Sequence, residues 1–280
     1  MALHDKHIGL IYVLASAVCF SLAGVLIKAI PWNPVSINGA RCIFAIIPIW
    51  VYLKATGRRF HVNKQIIAGA ALDFVMLETF VIANKLTTAA NAIVLQFSEP
   101  VWVILLTWVL FKSRPRKCAI ACCLVVLVGI VCFFFDGLSV EGTWGNILAI
   151  VSGLAYAGVF LIKRMPECDF ECAAILAFAV CFLVGTPFYA GETVFTPEML
   201  IAIVALGVVQ LGLAYLFLSK GLDTVSPVTA SLTSTIEPIL NPILVALTIG
   251  ELIGPLSIFG AVLVIGAATA YNVYAAKTSA

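Results

Sequence analysis

Two Glu-Pro dipeptides could do chemistry because each lies deep inside a long apolar stretch. They are Glu99-Pro100 and Glu237-Pro238. A carboxyl group in apolar surroundings accepts a proton or binds a cation, and the proline beside it removes a backbone donor and weakens the helix. We therefore predict a gating or coupling site at these residues. The alternative is structural, with each glutamate accepting hydrogen bonds from donors that the helix kink opens.

A second break follows the later dipeptide, at Asn241 and Pro242. Sharp helix kinks are almost always found at proline or at comparable interruptions of the hydrogen-bond ladder. Two such interruptions in one helix favour movement. Asn241 and Pro242 are therefore predicted to belong to the same gating element.

Two further acids, Asp73 and Glu78, lie five residues apart in another apolar stretch. On an α-helix this spacing separates their directions by about 140°, so at most one of them points squarely into a central cavity. One of the two is predicted to bind a substrate amine or a proton, and the spacing alone does not choose between them. The corresponding stretch of the second half offers Gln210 and Tyr215 nearby.

Three more side chains complete the candidate site. Arg41 lies within an apolar run, where it could bind a substrate carboxylate or extend to the interface, but pairing with an intramembrane acid is the preferred interpretation. Phe20 and Tyr156 are aromatic residues that could line a cavity and contact an amine or a ring. They are preferred over other aromatic residues because they occupy matching positions in the two halves of the chain.

The composition requires that these residues be positioned by membrane helices. Hydrophobic residues make up 62% of the 280 residues and charged residues 11%, against roughly 45–50% and about 25% in a soluble domain. Mean hydropathy is +1.13. A nucleic-acid-binding protein, a disulfide-stapled secreted scaffold and a soluble enzyme are thereby excluded. A bilayer core needs ~20 apolar residues per helix, and ten runs qualify: 8–30, 36–54, 66–86, 90–111, 117–135, 145–164, 171–190, 199–220, 225–249 and 255–275.

The short loops between these runs set the orientation. With the N-terminus inside, the inner side holds 13 of the 16 Lys and Arg residues. Because cytoplasmic loops carry an excess of Lys and Arg, both termini are predicted to be cytoplasmic. The expected location is the cell (inner or plasma) membrane, crossed several times.

Metal, cofactor and enzyme sites are not indicated. Cys118, Cys122 and Cys123 cluster, but no His or acid accompanies them and structural zinc prefers four ligands. All three histidines lie outside the apolar runs, and the chain has no phosphate-binding glycine loop. We therefore predict no metal, no cofactor and no enzyme activity.

The chain contains an internal repeat. The segment from Gly9 to Phe20 aligns with that from Gly145 to Tyr156, and Asn91-Ala92 before the first Glu-Pro aligns with Thr229-Ala230 before the second. A unit of five helices is odd, so the second copy must be inverted in the membrane. We predict an all-α integral membrane protein of ten transmembrane helices, in which repeats 1–137 and 138–280 surround a central cavity. Inverted repeats with a site at their interface are a transporter architecture.

The doubled pattern resembles the EamA-type branch of the drug/metabolite transporter superfamily. The marks are the aromatic residues in the first helix of each half, Arg41 early in the second helix, the two Glu-Pro pairs, and Gly250-Glu251 after the ninth helix. The resemblance implies a secondary transporter that works by alternating access and more commonly exports than imports. The expected substrate is a small amphiphilic metabolite, an amino acid or related amine-bearing compound.

Several alternatives stay open at this point. Uptake of an organic cation is the nearest rival of the same fold, whereas a membrane-embedded enzyme or a non-transporting receptor would be a different class. The expected partners are the small-molecule substrate, the lipid bilayer and protons as the candidate coupling ion, with no nucleic acid. Glycines 254, 260 and 266 favour close helix packing, either within a monomer or in a homodimer.

Overall fold

The computed structural model describes residues 2–28, 30–87, 89–135, 142–240, 243–244 and 254–277, and every regular element in these ranges is a helix. The α-helices are α1 Ala2–Ser21, α2 Ala23–Lys28, α3 Pro34–Ala55, α4 Lys64–Leu86, α5 Ala89–Gln96, α6 Glu99–Phe111, α7 Lys117–Phe134, α8 Thr143–Leu161, α9 Phe170–Tyr189, α10 Pro197–Ala205, α11 Ala214–Leu222, α12 Pro227–Ser234 and α13 Pro255–Lys277. A 3-10 turn, Ile162–Arg164, follows α8, and a π-helical segment, Leu206–Leu213, joins α10 to α11. Helix resumes at residues 237–240 after α12.

The helices match most of the predicted membrane spans. In the described residues, seven helical segments are long and apolar enough to cross a membrane: Pro34–Ala55, Lys64–Ala83, Asn91–Phe111, Thr143–Arg164, Phe170–Tyr189, Pro197–Leu222 and Pro255–Tyr274. His7–Ser21 and Lys117–Cys132 are shorter apolar helices. The remaining predicted run, 225–249, lies partly outside the described residues.

Capping residues precede many of these helices in the sequence. An Asn, Asp, Ser or Thr side chain accepts a backbone N–H in the first turn and replaces a hydrogen bond that the helix itself cannot supply. Three of the capping residues precede a proline, whose fixed φ suits the first helical position. The caps are Asn33, Asn63, Asp169, Thr196 and Ser226.

The two halves pack on each other with the symmetry of a repeat. Helix α4, the third span of the first repeat, packs on α8 and α9, the first two spans of the second. Correspondingly, α11 packs on α1 and the π-helical segment packs on α3, the first two spans of the first repeat. The second spans, α3 and α9, pack on each other, as do the fifth spans, α7 and α13. The interface between the repeats therefore forms the centre of the protein.

The matched glycines Gly9 and Gly145 show that one repeat is inverted. A Cβ on Gly9 would lie 3.3 Å from the carbonyl oxygen of Gly221, at the end of α11. A Cβ on Gly145 would lie 2.7 Å from the backbone of Thr87, just after α4, at the opposite end of the bundle. Equivalent residues thus make equivalent contacts at opposite ends. We call the end with loops 56–63, 165–169 and 223–226 the Arg58 end, and the other the Trp32 end.

The outer surface is apolar, as a bilayer requires, and some polar side chains are buried in the largely apolar interior. Large apolar side chains such as Val109, Leu183 and Ile201 are exposed on the outer surface. Acidic and amide side chains are buried in the interior, among them Asp73, Glu99 and Gln210. An ionisable residue that faces the bundle interior of a membrane protein is a candidate functional site.

Two of the singled-out glycines have clear surroundings. A Cβ on Gly129 of α7 would lie 2.9 Å from the carbonyl oxygen of Gly260 on α13, so Gly260 serves packing within the chain. A Cβ on Gly266 would meet nothing within 4 Å. The oligomeric state stays a prediction.

Candidate functional site

Asp73 and Tyr215 form a hydrogen-bonded pair in the interior. Asp73 lies on α4 and Tyr215 at the start of α11, and each is only 1% exposed. The Tyr215 hydroxyl donates to Asp73 Oδ1, whereas Oδ2 is buried with no partner among the described residues. Asp73 is thereby held in place through Oδ1, while Oδ2 accepts no hydrogen bond from the described residues.

Aromatic rings surround Tyr215. The ring of Tyr215 lies 5.8 Å from Phe20, 5.0 Å from Phe178 and 5.8 Å from Phe170, measured between centroids. Rings at these distances pack on one another, and aromatic rings can also attract a cation through their faces. Phe20 was expected to line the site, whereas Phe170 and Phe178 were not singled out because aromatic residues are common throughout the chain.

Tyr156 connects this pair to the two Glu-Pro glutamates. Its phenol group, on α8, interacts electrostatically with Glu237, Glu99 and Asp73. Its ring lies 5.1 Å from that of Phe160. Tyr156 therefore lies among three of the four predicted acids.

The first Glu-Pro pair begins a new helix instead of kinking a continuous one. Helix α5 ends at Gln96, and α6 starts at Glu99 with Pro100 in its first turn. Proline is tolerated there because that N–H has no intrahelical partner. The helix is thus interrupted by a two-residue turn at residues 97–98, where the Ser98 hydroxyl and backbone N–H both donate to the Leu95 carbonyl, the hydroxyl at 2.6 Å.

The second Glu-Pro pair repeats this arrangement. Helix α12 ends at Ser234, and helix resumes at Glu237 with Pro238 next to it. The Thr235 hydroxyl donates to the Leu232 carbonyl at 2.7 Å, as Ser98 does in the first repeat. Asn241 and Pro242, the predicted second break, lie outside the described residues.

Three of the four carboxyl oxygens of the two glutamates lack, among the described residues, the hydrogen bonds expected of a purely structural role. Glu99 is fully buried and neither of its side-chain oxygens has a hydrogen-bond partner in the described part of the chain. The same holds for Glu237 Oε2. Ser231 Oγ lies beside Glu99, but it too lacks a hydrogen bond of normal geometry.

Arg41 and Glu78 are joined through an amide. Asn38 Nδ2 donates to Glu78 Oε1 at 2.9 Å, and Asn38 Oδ1 accepts from Arg41 Nε at 3.0 Å and Nη2 at 2.8 Å. Arg41 Nη1 also donates to Gln210 Oε1 at 3.2 Å. Arg41 thus reaches an intramembrane acid only through Asn38, without a direct ion pair among the described residues, so its pairing with an acid stays a prediction. Asn38 was missed although three residues on a helix bring it to the same face as Arg41.

Asp73 and Glu78 therefore face different partners. Asp73 points to Tyr215 on α11, whereas Glu78 points to Asn38 on α3. This divergence follows the angle expected from a five-residue separation. The two candidates from the second half also have different partners: Gln210 accepts from Arg41, and Tyr215 donates to Asp73.

The Arg58 end carries a second polar network. Arg58 Nη2 contacts Asp169 Oδ2 at 2.5 Å and Glu171 Oε2 at 3.1 Å, and the Ser219 hydroxyl donates to Glu171 Oε1 at 2.6 Å. Lys163 pairs with Asp223 nearby. Glu171, a buried acid at the start of α9, was not predicted because it stands at the edge of its apolar run.

Charge pairing shifts the pKa of Arg58 and of Asp169, the two half-buried partners in this network. Burial alone would lower the pKa of Arg58, but hydrogen bonds to Glu171 and Asp169 and their charges raise it. Burial alone would raise the pKa of Asp169, but the Cys172 backbone N–H and Arg58 lower it below its usual range. Both side chains are thus held in their charged forms.

A cavity of about 350 Å³ lies beside this network. Its lining includes Arg58, His61, Lys163 and Glu167. Donor atoms of His61, Asp169 and Cys172 lie within 4.8 Å of one another, a spacing that a metal ion could bridge. Both oxygens of Asp169 are already engaged by Arg58 and by the Cys172 N–H, so this arrangement serves an ion pair and a helix cap.

The fold and the buried polar centre define a class of protein: a multi-pass α-helical membrane protein made of a duplicated, inverted unit. The sequence profile of the EamA-like transporter family matches residues 7–135 and again residues 143–273. The two matches cover most of the chain. The protein belongs to the EamA-like transporter family.

Individual relatives agree with this assignment. An uncharacterized transporter of Archaeoglobus fulgidus is 25% identical over 272 residues, which cover 90% of this chain and 94% of that one. Solute carrier family 35 member G1 of Mus musculus is 28% identical over 116 residues, 38% of this chain and 30% of that one. A crystal structure with 17% sequence identity superposes with a TM-score of 0.84 over 97% of this chain and 99% of that one, which shows a shared fold.

Proposed function

We propose that this protein is a secondary transporter that moves a small amphiphilic, amine-bearing metabolite, such as an amino acid, by alternating access. The family supports transport over catalysis. The observation that carries the substrate class is Asp73, whose Oδ2 is buried without a partner among the described residues and whose Oδ1 accepts from Tyr215 in an aromatic cluster. A buried carboxylate beside aromatic residues favours an ammonium group over a polyanion.

The structure favours Asp73 over Glu78 as the amine site. Glu78 Oε1 already accepts from Asn38, which also binds Arg41, so Glu78 has a positive neighbour through one intervening group. Asp73 is hydrogen-bonded to the neutral phenol of Tyr215. Its charge is therefore left for a ligand to balance.

Orientation and direction belong to the same proposal. The positive loops favour an inner membrane or plasma membrane location with both termini cytoplasmic, which makes the Arg58 end the cytoplasmic end. The Arg58–Asp169–Glu171 network joins the loop after α3 to the start of α9 at that end. We propose that it opens when the carrier loads its substrate from the cytoplasm for export.

A thermal-stability screen of the purified protein tests the substrate class. Amino acids, amines, quaternary ammonium compounds and nucleobases are added in turn, since a ligand that binds the folded state raises apparent stability, by about 2.7 kcal/mol at a hundredfold excess over Kd. We expect amine-bearing ligands to stabilise the wild type. Flux of the hit into proteoliposomes then measures transport.

Two variants give the screen its control. Asp73→Asn should abolish the stabilisation, whereas Glu78→Gln should retain it because glutamine still accepts from Asn38. Equal loss in both variants, with normal folding, would contradict the assignment. Stabilisation only by permanent cations would instead favour an organic-cation uptake carrier, the same fold with a different cargo.

A further inference from the structure

Four buried oxygen atoms lie without hydrogen-bond partners around the two Glu-Pro breaks, within the described residues. They are both side-chain oxygens of Glu99, Glu237 Oε2 and Ser231 Oγ. Buried polar atoms are nearly always hydrogen-bonded, so a group of unpaired ones points to something that the protein binds there.

These oxygens come from both repeats. Glu99 begins α6 in the first repeat, whereas Ser231 and Glu237 flank the equivalent break in the second. Helix α6, which starts at Glu99, packs on α12, which carries Ser231 and ends just before Glu237. Ser231 lies beside Glu99, and Glu237 is near enough to Glu99 for their charges to interact. The two carboxyl groups therefore form one pair across the interface between the repeats.

The surroundings of the pair supply no described positive charge. The titratable groups that interact with it are Tyr156 on α8, which interacts with both glutamates, and Cys123 on α7, which interacts with Glu99. Both are neutral or become negative when they ionise. Two like charges in a low-dielectric site cannot both persist without a cation.

We propose that Glu99 and Glu237 form a single proton-binding site shared by the two repeats, with Ser231 and Tyr156 as hydroxyl donors to its ionised form. Within the proposed transport function, on which this step rests, the pair is the coupling-ion site. Because its members begin half-helices of different repeats, gain or loss of a proton changes the repulsion between those half-helices. Ion binding is thereby linked to movement of one repeat against the other.

Infrared titration of the carboxyl C=O stretch in the purified full-length protein tests the pairing. In Glu99→Gln, Glu237 loses a negative neighbour and should lose its proton at lower pH than in the wild type. Glu237→Gln should shift Glu99 in the same direction, because coupling between two sites is reciprocal. Glu78→Gln is the matched control and should leave the titration of the pair unchanged.

Three results would overturn the proposal. One is an unchanged titration of the remaining glutamate in both variants, which would make the groups independent. Another is the absence of any pH-dependent carboxyl band while the protein stays folded. The third is displacement of the protonated band by Na⁺ at constant pH with choline as the control salt, which would make this a sodium site.

A variant that does not fold can be distinguished from these three results. So can a failure of the transport proposal. If a glutamine variant does not fold, the wild type itself is informative, since interacting carboxyl groups titrate in two separated steps. The substrate proposal is tested by a different variant, Asp73→Asn, which is expected to lose the stabilisation by ligand. A coupled titration without any ligand response would reject the substrate proposal and keep the paired site.

Discussion

Tyr215 donates a hydrogen bond to Asp73 across the boundary between the two repeats. Asp73 lies on the third span of the first repeat and Tyr215 on the third span of the second. The two spans occupy equivalent places, yet one supplies an acid and the other a phenol. An architecture with twofold symmetry thus carries an asymmetric centre, which is what recognition of an asymmetric small molecule requires.

Removing the Tyr215 hydroxyl should weaken ligand binding while the rings remain packed. Tyr215→Phe keeps the contacts with Phe20, Phe170 and Phe178 but leaves Asp73 Oδ1 without its donor. An unsatisfied buried partner costs about 1–3 kcal/mol. We expect a lower unfolding temperature and a smaller ligand shift in the thermal assay.

Tyr12→Phe is the matched control for that variant. The ring of Tyr12 stacks on Phe217 at 6.1 Å, so phenylalanine preserves its packing. An equal loss of stability and of ligand response in Tyr12→Phe would show that the Tyr215 hydroxyl has no special role.

Replacing Asn38 should be more damaging than replacing the acid that it binds. Asn38→Leu leaves Arg41 and Glu78 without their shared partner. Each buried charged group that is left unpaired lowers the free energy of unfolding by about 1–3 kcal/mol or more. Glu78→Gln preserves an acceptor for Asn38 Nδ2 and should lose less. Denaturation of both variants in detergent measures the difference, and the reverse order would contradict the bridging role.

The close contact between the π-helical segment and α3 should not tolerate a methyl group. A Cβ on Gly207 would lie 2.5 Å from the carbonyl oxygen of Arg41 and 2.4 Å from Phe44 Cβ. Since backbone atoms cannot yield easily, Gly207→Ala should destabilise the protein by roughly 1–3 kcal/mol.

Gly266→Ala provides the reference for this effect, because a Cβ there meets nothing within 4 Å. Alanine is the better helix former, so this variant should match or exceed wild-type stability. Comparable thermal unfolding of the two alanine variants would mean that the backbone contact at Gly207 relaxes without cost.

The ion pair of Asp169 should fail only in strong acid. Its folded-state pKa lies below the usual value of about 3.9. Its stabilisation is therefore complete above about pH 4 and is lost as the pH falls through the lowered value. Because Arg58 is 38% exposed, the contribution should be about 1 kcal/mol or less.

Asp169→Asn isolates this contribution because asparagine caps a helix as well as aspartate does. The difference in unfolding temperature between wild type and variant should be constant from neutral pH down to about 4 and then decline as the pH falls through the lowered pKa. A difference that instead grew with acidification would show that another group carries the effect.

Sequence reasoning was successful where apolar runs and repeated motifs determine structure. The spans, the inversion and the depth of Glu99 follow from length, hydropathy and the doubled pattern. The partners of Asp73 could not be predicted, because helix rotation depends on packing and the π-helical segment departs from regular α periodicity. The proline signal at Pro100 predicts a weakened helix, but it does not say that the weak point takes the form of a two-residue turn at residues 97–98.

The missed residues have a shared cause. Asn38 and Glu171 act through neighbours that are distant in sequence, Glu78 for the first and Arg58 for the second. Hydropathy identifies an isolated charge in an apolar run, but it gives no signal for an amide or for an acid at a helix end. Such residues become visible only when the helices are assembled.

The π-helical segment Leu206–Leu213 implies that the third span of the second repeat holds extra residues within the helix itself. A π turn closes its hydrogen bond over five residues where an α turn uses four, so it stores inserted residues inside a helix. The span Pro197–Leu222 has 26 residues, whereas its counterpart α4 has 23. Deleting one residue from the segment would restore regular winding and rotate one side of the span by about 100° relative to the other. Gln210 and Tyr215 would then no longer reach α3 and α4 together. The contacts of both side chains therefore depend on a single inserted residue in this helix.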